Sequence, residues 1–240
     1  MDLAAFTFER CDQMSKKLML LAAGVLAALA LSALPSVAAA GEFTADCGSG
    51  ATCSGTVEST GITTLGTGGG LVAVRCSATA GTTTQTSGSS TGAVRLLFTG
   101  CEDEATETSC KNTTTAGAIT TNSMVSHNII ISATPTKIVG VLLTGANVTF
   151  ECLGGFLKQT VTGNIIGQVE DPECGIARTH HTITFEQTSV GQQKYKQITT
   201  TGTSFDLTAN NHAGSTYETA SQVGTAHVNY AGGNTVKLTC

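Results

Sequence analysis

From residue 41 onward the chain alternates between apolar and polar positions over short runs. Val72, Val74 and Cys76 share one parity, with Ala73 and Arg75 on the other. Val94, Leu96 and Phe98 repeat the pattern, as do Val148, Phe150 and Cys152 against Thr149 and Glu151. Ile183 and Phe185 alternate with Thr182, Thr184 and Glu186, and Val228 with Tyr230, then Val236, Leu238 and Cys240, complete the series. A period of two puts every second side chain on one face of a strand, so each run predicts a short strand with one buried face. Clusters of Gly, Asn and Thr between the runs supply turn chemistry. Ile129–Ile131 and Ile138–Leu143 are unbroken apolar runs and predict central strands covered on both faces. Nothing after Pro35 has helical periodicity. The expected fold is all-β, an antiparallel β-sandwich or barrel-like domain.

Two finer expectations follow from the same pattern. The Gly, Ser and Thr residues from Ala78 to Thr91 predict a flexible loop or long hairpin tip, and Thr82–Thr84 and Thr113–Thr115 look like loop tracts. Val72–Cys76 leading to Thr91-Gly92, and Val148–Cys152 leading to Thr162-Gly163, suggest a duplicated hairpin unit.

The N-terminus sets the expected compartment. Lys16-Lys17, an apolar run from Leu18 to Leu34 and Ala38-Ala39-Ala40 have the order of a signal peptide. A helical signal peptide is therefore expected over 1–40, with Gly41 as the first mature residue and a single secreted β-rich domain over 41–240. Met14, just before Ser15-Lys16-Lys17, makes a better start than Met1. An uncleaved anchor is the alternative, which Pro35 and the small residues after it disfavour. No later stretch is apolar for long enough to span a bilayer, so an extracellular protein without membrane contact after cleavage is expected.

Composition narrows the partners. The formal net charge is −5. Residues 1–40 hold Arg10, Lys16 and Lys17 against Asp2, Glu9 and Asp12, so cleavage leaves that balance unchanged. A mildly acidic chain has no electrostatic reason to bind nucleic acid or anionic lipid. Setting Cys11 aside leaves Cys47, Cys53, Cys76, Cys101, Cys110, Cys152, Cys174 and Cys240, an even set that reads as a disulfide framework in an exported chain. No C-x-x-C pair is present to favour zinc.

One pattern of motifs is distinctive. It runs Phe98-Thr99-Gly100-Cys101, Ser109-Cys110, Gly117-Ala118-Ile119-Thr120-Thr121, Val139–Leu143, Phe150-Glu151-Cys152 and Val161–Gly167. Over roughly Leu71 to Gln222 this order resembles a group of secreted, cysteine-containing, β-rich proteins of high-GC Gram-positive bacteria for which no activity is known. The resemblance implies export and a shared fold, and no chemistry. Members of that group carry cysteines matching Cys76, Cys101, Cys110 and Cys152, which implies a local Cys101–Cys110 staple and a cross-strand Cys76–Cys152 bridge. Cys47, Cys53, Cys174 and Cys240 would then pair among themselves and tie the C-terminal strand to the N-terminal segment.

The search for chemistry finds little. There is no G-x-S-x-G elbow, no H-E-x-x-H, no P-loop and no dinucleotide fingerprint. His180 and His181 are adjacent, so in a strand they point to opposite faces; parity puts His181 inward and His180 outward. His227 faces outward and His212 lies in a turn, all consistent with structural histidines. Two acidic loops remain, Glu102-Asp103-Glu104 with Glu107, and Glu170-Asp171 with Glu173. Solvated loops are the plainer reading, and a Ca²⁺ site the chemically specific one. Glycosidase chemistry on these carboxylates has no supporting motif. The chain has no Trp, which weakens carbohydrate binding through aromatic platforms and leaves Tyr195, Tyr217 and Tyr230. A regular Thr array for ice or crystalline polymer is missing. The expectation is a non-enzymatic binding or structural module, its partner a cell-envelope polymer or a protein. The alternative is a secreted hydrolase with an unrecognised active site.

Overall fold

A strand needs partners for its backbone groups on both sides, and an open sheet leaves two edges unpaired. This chain resolves the problem by closing its sheet. The computed structural model describes residues 41–240 apart from 49, 60, 71, 171–173 and 212–215. The expected signal peptide lies outside the described residues. The strands are β1 (Ala45–Asp46), β2 (Thr52–Ser59), β3 (Thr63–Thr67), β4 (Ala73–Thr86), β5 (Thr91–Asp103), β6 (Ile119–Thr120), β7 (Met124–Ser132), β8 (Ile138–Cys152), β9 (Leu157–Glu170), β10 (Ala177–Arg178), β11 (His180–Phe185), β12 (Gln187–Ser189), β13 (Gln192–Gln193), β14 (Gln197–Ile198), β15 (Thr203–Ser204), β16 (Leu207–Asn211), β17 (Glu218–Tyr230) and β18 (Val236–Leu238). Leu153–Gly155 and Ala231–Gly233 form short 3₁₀ turns. Among the described residues no helix is long and apolar enough to cross a membrane.

Antiparallel pairing runs from β4 through β5, β7, β8, β9, β11, β17 and β2, then back to β4. Three positions in this ring are shared by two successive segments: β2 with β3, β6 with β7, and β11 with β16. The fold is an up-and-down β-barrel whose neighbours in space are neighbours in sequence. The all-β, disulfide-stapled architecture expected from parity is present, and it takes the barrel form.

Inward parity holds where it was read. Val72, Val74, Cys76, Val94, Leu96, Val148, Phe150, Cys152, Phe185 and Val228 are all buried. The segment Ala78–Thr86 is a correction to its loop reading. It is strand throughout, paired with β5 on one side and β2 on the other, and the turn is confined to 87–90. Thr82–Thr84 therefore lie in a strand, while Thr113–Thr115 do lie in a loop. Thr suits a pleated surface, which is why a Thr-rich stretch extends here. The proposed duplication has no structural counterpart: β4 continues well past Cys76, whereas β8 ends at Cys152.

The disulfide pairing implied by resemblance is also corrected. The bridges are Cys47–Cys53, Cys76–Cys101, Cys110–Cys152 and Cys174–Cys240. Each of these eight cysteines joins its next neighbour in the chain, so the four loops neither nest nor overlap. Cys76 and Cys101 are register partners on β4 and β5. Gly100 makes this possible: at φ +60° it shifts the parity of β5 so that Cys101, like Phe98, points inward. A Cβ on Gly100 would sit 2.1 Å from Ser77 Oγ. Cys110 then secures the β5–β6 connection to the end of β8, where the backbones of Lys111 and Glu151 exchange two hydrogen bonds of 2.8 Å.

The other end of the ring is capped by a three-stranded sheet in the order β1–β18–β10. Phe43, Ala45, Val236 and Leu238 pack there against Val139 and Val169 of the ring. The Lys237–Asp46 ion pair (3.0 Å) joins β18 to β1, and the lysine's hydrogen bond holds the Asp46 carboxyl below its ordinary value. Cys47, Cys53, Cys174 and Cys240 do pair among themselves. Hydrogen bonds between β1 and β18, rather than a disulfide, tie the C-terminal strand to the N-terminal segment.

Residues 186–206 leave the ring between β11 and β16 as two small hairpins, β12–β13 and β14–β15. Thr199 docks on β7, its N–H and Oγ1 both donating to Ile131 O at 3.0 and 2.9 Å. Ile129, Ile131, Leu142 and Ile166 point away from the barrel axis and are nevertheless buried, as is Ile198 of the excursion. The continuous apolar runs are thus covered on both faces, as their composition requires.

Candidate functional site

The barrel interior is not completely filled. Two cavities, of about 100 Å³ and about 80 Å³, lie along it. Thr63, Leu96, Leu143 and Gln222 border both, and so form a waist between an upper chamber under the cap and a lower one. Space of this size costs on the order of 2 kcal/mol per chamber relative to a filled core.

The two chambers differ in polarity. The upper one is walled by Ile183, Phe185 and Val228 but also by Ser126, Asn128 and Tyr230, and the cap residues Val236 and Leu238 form part of its roof. The lower one is walled by Val74, Phe98, Ile119, Met124, Phe150 and Ile165, among others, and is nearly all hydrocarbon. Among the described residues no charged side chain borders either chamber. Burial pushes the Tyr230 hydroxyl above its ordinary value, so it stays neutral. Asn128 is 6% exposed, and its Nδ2 has no hydrogen-bond partner among the described residues. A buried amide donor without a partner costs about 1–3 kcal/mol.

The acidic loops do not converge. Glu102 faces outward and pairs with Arg75 of β4. Asp103 faces inward and is buried; its Oδ1 accepts from Ala105 N, Thr106 N and Thr106 Oγ1 at 3.2, 3.0 and 2.8 Å, which folds the turn after β5. Glu104 and Glu107 are exposed, and Glu170 accepts from Thr184 Oγ1 on the barrel wall. Asp171 and Glu173 lie outside the described residues. Among the described residues no group of three or more His, Cys, Asp or Glu side chains is placed to hold a metal ion.

His180 is exposed and His181 buried, as parity required. His181 sits under the cap with its ring edge-on to Tyr230 at 5.7 Å, and burial holds it below the usual imidazole value. His227 hydrogen-bonds Thr182 across the strand pair at 2.9 Å. His212 lies outside the described residues. Sequence reasoning passed over His127, which stands on the outer wall of β7. Its Nδ1 lies 3.4 Å from Glu42 Oε1, and its Nε2 lies 3.3 Å from Thr144 Oγ1. Hydroxyl, imidazole and carboxylate in series is the order of a nucleophilic triad, set here at the bulge between Leu143 and Ala146. It is loose in both contacts, and Thr144 Oγ1 also donates to Val125 O at 3.4 Å.

Asn128 was equally missed. The signal was present: it shares the inward parity of Met124 and Ser126 on β7. The Ile129–Ile131 run concealed it. Fold and lumen together define a capped, disulfide-stapled meander barrel. No protein-family model matches this chain, nor does any curated protein or any solved structure.

Proposed function

We propose that this protein is exported and acts, without catalysis, as a binding module that holds a small ligand inside its barrel. The signal-peptide pattern, the resemblance to secreted β-rich proteins and four disulfides support export, because such bridges persist in oxidising compartments. The observation that carries the binding reading is the lumen itself: a ring stapled at both ends that leaves two uncharged chambers unfilled. Core space without a filling side chain is given up stability, and a ligand recovers it. Ligand sites are commonly placed in barrels in this way.

Headspace partition of benzene and pentane over the purified protein tests this. Saturable uptake of at least one is expected, and its loss in Leu143→Trp, which fills the waist. Uptake of neither by the wild-type protein removes the lumen reading. The second reading, a secreted hydrolase, rests on Glu42, His127 and Thr144. An esterase, protease and glycosidase panel addresses it: turnover abolished by His127→Ala would replace binding with catalysis.

A further inference from the structure

We infer that the lower chamber is the binding site, and that its ligand is a compact hydrocarbon of roughly five to eight carbons with no hydrogen-bonding group. This inference rests on the lumen reading above and gives the chamber and the ligand's chemical class.

Three observations carry it. The first is the wall. Val74, Phe98, Ile119, Met124, Phe150 and Ile165 make the lower chamber nearly all hydrocarbon. The second is what its few polar residues already do. Thr63 Oγ1 hydrogen-bonds Thr79 Oγ1 at 3.2 Å, and Thr121 Oγ1 accepts from Leu96 N at 2.9 Å. Cys76 is bonded to Cys101, and Gln222 shares in a wall that presents almost no polar surface. A ligand hydroxyl, carbonyl or ring nitrogen placed here leaves its water partners and finds no replacement among the described residues. The third is size. A water-sized group needs roughly 10–15 Å³ of free volume, so the chamber's volume of about 80 Å³ takes roughly five to eight such groups.

The upper chamber is the weaker candidate for this ligand. Hydroxyl and amide side chains such as Ser126, Gln222 and Tyr230 border it, and a roomy polar cavity is filled by water. An apolar cavity stays dry. Its wall atoms lack contacts on one side, and a hydrocarbon restores them without displacing water.

The experiment uses two pairs of molecules matched in shape, benzene with pyridine and pentane with 1-butanol, on the purified mature protein at a pH where pyridine is uncharged. Headspace partition measures the affinity of each. Residues 41–240 contain one methionine, Met124, so methyl-¹³C methionine labelling gives the lower chamber a single resonance of its own. Each hydrocarbon should bind at least about tenfold more tightly than its polar counterpart, the cost of one hydrogen bond to water left unreplaced. Saturating benzene should move the Met124 methyl signal through its ring current, a readout that needs no variant. Benzene uptake with an unmoved Met124 signal, or a polar counterpart that binds as tightly as its hydrocarbon, overturns the assignment and leaves the lumen reading standing. Uptake of neither hydrocarbon removes the lumen reading and this inference with it.

Discussion

Removing the Cys174–Cys240 bridge should cost more stability than its exposed position suggests. The two cysteines are 66 residues apart, and among the described residues no other bridge crosses that loop. In the chain-entropy description a loop of that length restricts the unfolded chain by about 4 kcal/mol. Cys174 is exposed and Cys240 half-buried, so replacing both by Ala opens no core cavity and the loss comes almost wholly from the unfolded state. For a domain of this size about 4 kcal/mol corresponds to a fall in Tm of roughly 8–16 °C. Scanning calorimetry of the double variant without reductant gives the number directly. The Cys47–Cys53 bridge, with a separation of 6, restricts the unfolded chain by only about 2 kcal/mol. A fall of less than about 3 °C for Cys174→Ala/Cys240→Ala would refute the loop argument. Peptide mapping that found either cysteine joined elsewhere would refute the connectivity beneath it.

Other perturbations follow from single buried groups. Gln159 is fully buried with neither side-chain amide atom partnered among the described residues, so Gln159→Met should raise stability by about 1–3 kcal/mol in urea denaturation; an unchanged or lower midpoint would show that water or ligand satisfies the amide. Burial, aided by the charges of Arg178 and His180 and opposed by a hydrogen bond with the Val236 backbone, lowers the folded-state value of His181 below its unfolded value. Between the two values the unfolded chain binds more protons, so stability should fall as pH drops below about 6.5 and level off below the folded value. His181→Met should flatten that slope, and equal slopes in the two proteins would contradict the assignment. Gly163 has φ +114°, and a Cβ there would lie 2.2 Å from Asp206 O, so Gly163→Ala should cost about 1–3 kcal/mol by strain and displacement of β16. A thermal midpoint within 1 °C of wild type would show that β16 yields freely.

Parity alone was enough to determine the all-β class, the inward set on β4, β5, β8, β11 and β17, and the opposite orientations of His180 and His181. These are local consequences of a two-residue period, which needs no knowledge of what lies across the strand. The even cysteine set likewise implied a disulfide framework. The sequence could not say which cysteine meets which, because pairing depends on register and on Gly100 turning Cys101 towards Cys76. It announced that Ile129–Ile131 is covered on both faces, yet only the tertiary structure shows the excursion at 186–206 doing the covering. The lumen was illegible for the same reason. A cavity is a property of how inward side chains from every position of a closed ring fail to meet, and closure itself is set by β17 pairing with β2 across most of the chain. Read along the chain, Asn128 is one polar residue beside Ser126 and His127; only the closed barrel shows that it is buried at the wall of the upper chamber.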